Sequence, residues 1–131
     1  MGKLTNRIYY DFNIDKKGYD FMGYEFFDRK ELSYHHIQPR HYGGKTTYKN
    51  GSLLVRSTSH NYIHTIETFD FKLFIELSQE LKLEHQDGIT KEHLSNIRQI
   101  LEFFEDKYEC EYSKRGTPII KEEFTRRRIN L

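Results

Sequence analysis

Residues 32 to 64 constrain this chain more than any other stretch, because they gather five of its seven histidines among residues that force turns. The run Leu32-Ser33-Tyr34-His35-His36-Ile37 reads as a strand. Pro39 stops it by removing a ladder donor, and Gly43-Gly44 admit backbone angles closed to other residues, so a loop follows the His pair. Asn50 and Leu53-Leu54-Val55 come next, and then His60-Asn61-Tyr62-Ile63-His64.

His60 and His64 are four residues apart. On a helix they project from one face about a turn from each other, and two imidazole nitrogens can then hold one divalent ion. A third ligand has to come from elsewhere, and His35 at the end of the strand is the candidate. His36 is left as a base, since an imidazole titrates near neutrality and can take a proton from water. Arg40, Lys45, Lys49 and Arg56 are interleaved with the histidines and can clamp phosphates. An activated water, a cation and a basic groove are what phosphodiester hydrolysis requires. Neighbouring residues of a regular strand face opposite ways, however. His35 and His36 serve one site only if the strand bends there or the scissile phosphate sits between them.

The ordered set His35-His36, Asn50 and His60-x-x-x-His64 resembles the HNH endonuclease motif, the ββα-metal nuclease site, over about residues 20 to 66. The resemblance implies a hairpin whose first strand ends at the His pair, a loop, a second strand near Leu53 to Val55, and a helix carrying His60 and His64. It assigns His35, His60 and His64 to the metal, His36 to general-base catalysis, and Asn50 to pinning the loop so that the base is aimed. Many members of that family bind a structural zinc through two Cys-x-x-Cys pairs. Here the corresponding segments are Tyr19-Asp20-Phe21-Met22-Gly23-Tyr24 and Arg56-Ser57-Thr58-Ser59, without a thiol. No structural zinc knuckle is expected, and packing by Phe21, Tyr24, Phe26 and Phe27 would have to replace it. Gly51, where a strand residue is expected, leaves the register of the second strand open. Two or three imidazoles suit zinc, nickel or cobalt, and the resemblance also allows magnesium or manganese.

A chain of 131 residues makes one domain with a core of its own. Its single cysteine, Cys110, excludes an intramolecular disulfide and reads as an inert thiol in a reducing compartment. The start, Met1-Gly2-Lys3-Leu4-Thr5-Asn6-Arg7, is too polar for a signal peptide, and no apolar run spans a membrane, so a cytoplasmic protein without a membrane partner is expected. The near-neutral total hides a division. Basic against acidic residues number 10 and 6 in 1–66, 5 and 12 in 67–112, and 6 and 2 in 113–131, giving net charges of +4, −7 and +4. A polyanion would be repelled by the middle segment and attracted by its flanks.

Residues 5 to 34 alternate aromatic and polar positions and read as short strands. The stretch from Phe69 to Leu83 puts Leu73, Phe74, Leu77 and Leu81 on one helical stripe. Asp87-Gly88 turns the chain, Thr90 is the expected N-cap, and Leu94, Ile97, Leu101, Phe104 and Tyr108 follow at helical spacing. The expected fold is therefore α+β: a ββα-metal core over 20–66 with N-terminal short strands, an antiparallel helical hairpin over 67–112, and a basic C-terminal arm over 113–131 broken at Gly116-Thr117-Pro118. Arg126-Arg127-Arg128 reads as a solvated tail ahead of a nucleic-acid arm. His85 and His93 read as ordinary surface or core groups, and His41 as either a phosphate contact or loop decoration. Tyr42, Tyr48 and Tyr62 are candidates for stacking on bases, with packing the safer reading for Tyr62.

The leading expectation is a metal-dependent endonuclease that hydrolyses nucleic-acid phosphodiester bonds, DNA ahead of RNA. The alternative is a non-catalytic nucleic-acid-binding or structural metal-binding module with a degenerate HNH fold. His36 separates the two, because a structural site has no use for a second histidine beside a ligand.

Overall fold

The computed structural model describes residues 2–108 and 121–131 of an α+β protein. Two helices open it, α1 (Lys3–Asp11) and the short α2 (Ile14–Lys17). A two-stranded antiparallel hairpin follows, β1 (Leu32–His36) and β2 (Gly51–Val55), then a π-helical turn (Arg56–His60) that runs directly into α3 (Asn61–Phe69). Helices α4 (Phe71–Asp87), α5 (Lys91–Tyr108) and α6 (Lys121–Thr125) complete it. Among the described residues no helix is long and apolar enough to cross a membrane.

The N-terminal short strands expected from sequence are not there. Leu4, Ile8 and Phe12 are four residues apart, so the apolar positions that seemed to alternate fall on one helical face. Ile8 is buried, and Leu4 and Phe12 pack against the same core. Of the extended structure expected over residues 5 to 34, the start of β1 from Leu32 is present, and before it there are the isolated bridges Tyr19 to Glu25 and Tyr24 to Arg128.

The hairpin register runs from Leu32 opposite Val55 to His36 opposite Gly51, without a bulge. Gly51 is explained by what surrounds it. A Cβ there would lie 2.4 Å from the Tyr34 ring and 2.7 Å from Ile8 Cδ1, so only glycine lets α1 and the Tyr34 ring close over the end of β2. The loop between the strands makes a similar demand at Gly44, where a Cβ would meet the Gln38 carbonyl oxygen at 1.8 Å.

Asp20, wholly buried, ties the segment before the hairpin to the one after it. Its Oδ1 accepts from the Met22 and Tyr24 amides at 2.9 and 3.0 Å. Its Oδ2 accepts from the Val55 amide at 2.8 Å and from the Ser59 hydroxyl. Burial pushes this carboxyl up to about 6, against the pull of those four donors. The two segments that lack thiols are thus joined by one carboxylate. Phe21 and Tyr24 are buried beside it and Phe26 is half-buried, but Phe27 is 79% exposed and takes no part in the expected aromatic packing.

The helical hairpin forms as the apolar spacing requires. Leu73, Phe74, Leu77 and Leu81 of α4 and Leu94, Ile97, Leu101 and Phe104 of α5 are buried. Thr90 Oγ1 caps α5 by accepting from the His93 amide at 3.2 Å. His93 reaches Glu80 and Asp87 near the end of α4, while Lys107 reaches Asp70 before its start, so the helices run antiparallel. Past α6 the chain is docked: the Ile129 amide donates to the Gly23 carbonyl, Arg127 pairs with Glu31, and Arg128 binds Glu105 through both guanidinium nitrogens. Arg127 and Arg128 therefore belong to no solvated tail. Cys110 and the break at Gly116-Thr117-Pro118 lie outside the described residues.

Candidate metal centre

The three imidazoles of His35, His60 and His64 converge, with one nitrogen from each lying within 4.8 Å of the others. Strand β1 carries His35 on the face turned toward α3. His60 closes the π-helical turn and His64 follows one turn later, so the two stand above each other with ring centroids 5.0 Å apart. A π-helical turn is rare, and it falls here at the point where the strand-to-helix connection must aim His60.

Two neighbours orient the rings. Ser33 Oγ lies 2.5 Å from His60 Nδ1, and Glu67 Oε1 lies 3.0 Å from His64 Nδ1. Each contact occupies Nδ1 and leaves Nε2 for an ion, the arrangement by which outer partners fix a ligating imidazole. His35 has no such partner. It is 1% exposed, and among the described residues neither of its ring nitrogens has a hydrogen bond. An unpaired polar group in a protein interior costs about 1–3 kcal/mol. A cation held by one of these nitrogens is the partner the ring lacks, so the donor set fits a divalent ion bound by imidazoles. Burial, with the charges of its neighbours, holds His35 well below its usual range and pushes His60 down to about 4. Both are therefore neutral at pH 7, the form that ligates.

His36 does not join the cluster. It lies on the other face of β1, its ring 4.8 Å from that of Tyr34 and its Nε2 2.8 Å from Thr46 Oγ1. Burial and the nearby Arg40 charge lower its pKa. With Nε2–H donating to Thr46, Nδ1 keeps a lone pair for a proton.

Asn50 is the hub of the loop between the strands. Its Oδ1 accepts from the Gln38 amide at 2.8 Å, and its Nδ2 donates to the carbonyls of Gln38 and Lys45 at 3.0 and 2.8 Å. Its own carbonyl accepts from the Ile37 amide at 2.9 Å, one residue past His36. Arg40, Lys45, Lys49 and Arg56 are all exposed. Arg40 and Arg56 stand near enough for their charges to act on His36 and His60 respectively. Arg56 also donates to the Lys30 and Leu32 carbonyls, which fixes its guanidinium beside the cluster. His41 lies 3.7 Å from the same Glu67 that holds His64. His85 packs between the rings of Phe12 and Tyr48.

Ser33, Thr46 and Glu67 escaped the sequence reading. Glu67 carried a signal, since a carboxylate three residues after a helical histidine faces it. Ser33 and Thr46 carried none, because their partners meet them only through the hairpin and its loop. Comparison with known protein families, with characterised proteins and with solved structures finds no match.

Proposed function

We propose that this chain is a metal-dependent endonuclease of the HNH type, which hydrolyses phosphodiester bonds of nucleic acid, DNA ahead of RNA. The observation that carries this reading is the convergence of His35, His60 and His64, with the buried His35 ring left without a partner. His35, His60 and His64 would hold a divalent ion, with zinc, nickel or cobalt favoured by the imidazole donors and magnesium or manganese allowed by the resemblance. When bound, the ion supplies neutralisation of phosphate charge and stabilisation of the leaving oxygen.

The chain's own residues supply the rest. A phosphate at the end of β1 is flanked by the ligand cluster on one side and His36 on the other, which suits a straight strand without a bulge. His36 is neutral at pH 7 and takes the proton of the attacking water. Thr46 holds its ring, and Asn50 holds the loop that carries Thr46 and Lys45. Arg40 and Arg56, one near the base and one near the ligands, are placed to bind phosphates on either side of the scissile one. Incubation of the purified chain with supercoiled plasmid across a panel of divalent ions, with a chelator control, tests the reading. Cleavage that needs an ion and stops on chelation is expected. An intact plasmid under every ion would leave a non-catalytic binding module in its place.

A further inference from the structure

We infer that Tyr42 and Phe71 form a stacking platform for an unpaired nucleobase, so that the protein acts on single-stranded or locally opened nucleic acid. This rests on the nuclease reading and deepens it by naming the form of the substrate. Of the three tyrosines that sequence offered for base stacking, two are consumed by the fold. Tyr62 is buried, stacked on Phe124 and hydrogen-bonded to Glu105. Tyr48 is half-buried beneath the Arg7 guanidinium, 3.8 Å above its ring, and donates to Asp11. Of the three, Tyr42 is left 53% exposed, and Phe71 from α4, 43% exposed, stands 5.5 Å from it at 54°, so the two rings form an angled corner on which a base can lie against one ring and edge-on to the other.

The backbone that carries Tyr42 is held by hydrogen bonds, and the pair lies close to the histidine cluster. The Tyr42 amide donates to the Pro39 carbonyl at 3.0 Å, and the Tyr42 carbonyl accepts from Gln38 Nε2 at 2.6 Å. Phe71 rests on the buried Phe74, centroid to centroid 5.7 Å. His41 packs on Tyr42 at 4.2 Å and reaches Glu67, which in turn holds His64. The platform is therefore two side chains from the ligand cluster, within reach of a nucleotide neighbouring the scissile phosphate.

The surroundings suit a nucleotide over an apolar protein segment. Exposed cations flank each ring along the chain, Arg40 before Tyr42 and Lys72 after Phe71. The nearby acids are already engaged: Glu67 by two histidines, and Asp70 by the Leu73 amide, Lys107 and the Tyr108 hydroxyl. A base inside a duplex hides both faces in its stack, so the rings take an unpaired base in preference to duplex, where a free face is found only at an end.

The test uses the full chain carrying His36→Ala, so that the strand stays intact, and a short oligonucleotide containing 2-aminopurine, whose fluorescence falls on stacking. Quenching by the single strand, and tighter binding of it than of the same sequence as a duplex, are expected. Tyr42→Ala or Phe71→Ala should abolish the quenching and weaken binding about 5- to 100-fold, as loss of an aromatic stack does elsewhere. Tyr42→Phe should restore both, and unchanged melting temperatures would show that the variants fold. No binding of the single strand, equal binding of duplex, or quenching that survives Tyr42→Ala overturns the platform. Plasmid cleavage by the chain without substitutions reads the nuclease separately. A cut plasmid with Tyr42-independent quenching removes the platform alone, and Tyr42-dependent quenching without cleavage removes the nuclease alone.

Discussion

His35 and His36 are adjacent in sequence and divided in space, one sealed under α3 with bare nitrogens and the other beside Tyr34 and Thr46. Their substitutions should divide in the same way. His36→Ala should leave metal binding intact while cleavage falls by roughly 10²- to 10⁴-fold, the usual contribution of a positioned base. His60→Ala should lower metal affinity along with cleavage. Calorimetric metal titration beside a plasmid assay reads both, and equal loss of metal in the two variants would refute the role given to His36. Ser33→Ala and Glu67→Ala probe the partners of the ligands. Each should weaken metal binding about 10- to 100-fold without abolishing it, as losing an orienting hydrogen bond does, and titrations indistinguishable from the unsubstituted chain would show that these contacts are incidental. The pairing of His60 with His64 was legible because four-residue spacing on a helix is a local property. Ser33 was not, since 27 residues separate it from His60 and only the fold brings them together.

At the level of elements, α4 and α5 could be read directly, because fifteen or more residues repeat an apolar stripe at helical spacing. The N-terminal segment could not. Nine residues of α1 give too short a window to tell a four-residue repeat from alternation when tyrosine and phenylalanine crowd the sequence. Glu84 was also invisible as anything but a polar residue of α4, yet it is wholly buried and neither carboxyl oxygen has a partner among the described residues. Burial pushes its pKa well above the ordinary range of 4.5, and the charges of Asp20 and Glu80 push the same way. The folded chain thus keeps a proton that the unfolded chain releases above that range, so this group costs stability as pH rises from about 4.5 toward its folded pKa. Glu84→Met should raise stability by about 1–3 kcal/mol at neutral pH, the penalty of an unpaired buried group. The gap in melting temperature between variant and unsubstituted chain should widen from pH 5 to pH 8. A gap that is constant over that interval would show that Glu84 does not titrate in the fold.

Across the whole molecule, the division of charge acquires a direction. The basic residues around the histidine cluster are exposed, and the acidic segment is the helical hairpin. Replacing Arg40 and Lys45 together by alanine should weaken binding of nucleic acid and lower the slope of log affinity against log salt by roughly 2 on duplex DNA, about 0.9 for each lost phosphate contact. An unaltered slope, measured by anisotropy across a salt series, would move the binding face elsewhere. Sequence read Arg126-Arg127-Arg128 as a solvated tail, but Arg127 and Arg128 are paired with Glu31 and Glu105 inside the molecule. That outcome was hidden from sequence because both carboxylates lie far along the chain. Asp20 has the widest consequence. Its four hydrogen bonds join the segments on either side of the hairpin with protein atoms alone, so this junction needs no ion to hold it. On the proposed reading, removing the ion by chelation should stop cleavage while leaving the chain folded, and returning the ion should restore cleavage, with circular dichroism and the plasmid assay as the two readouts.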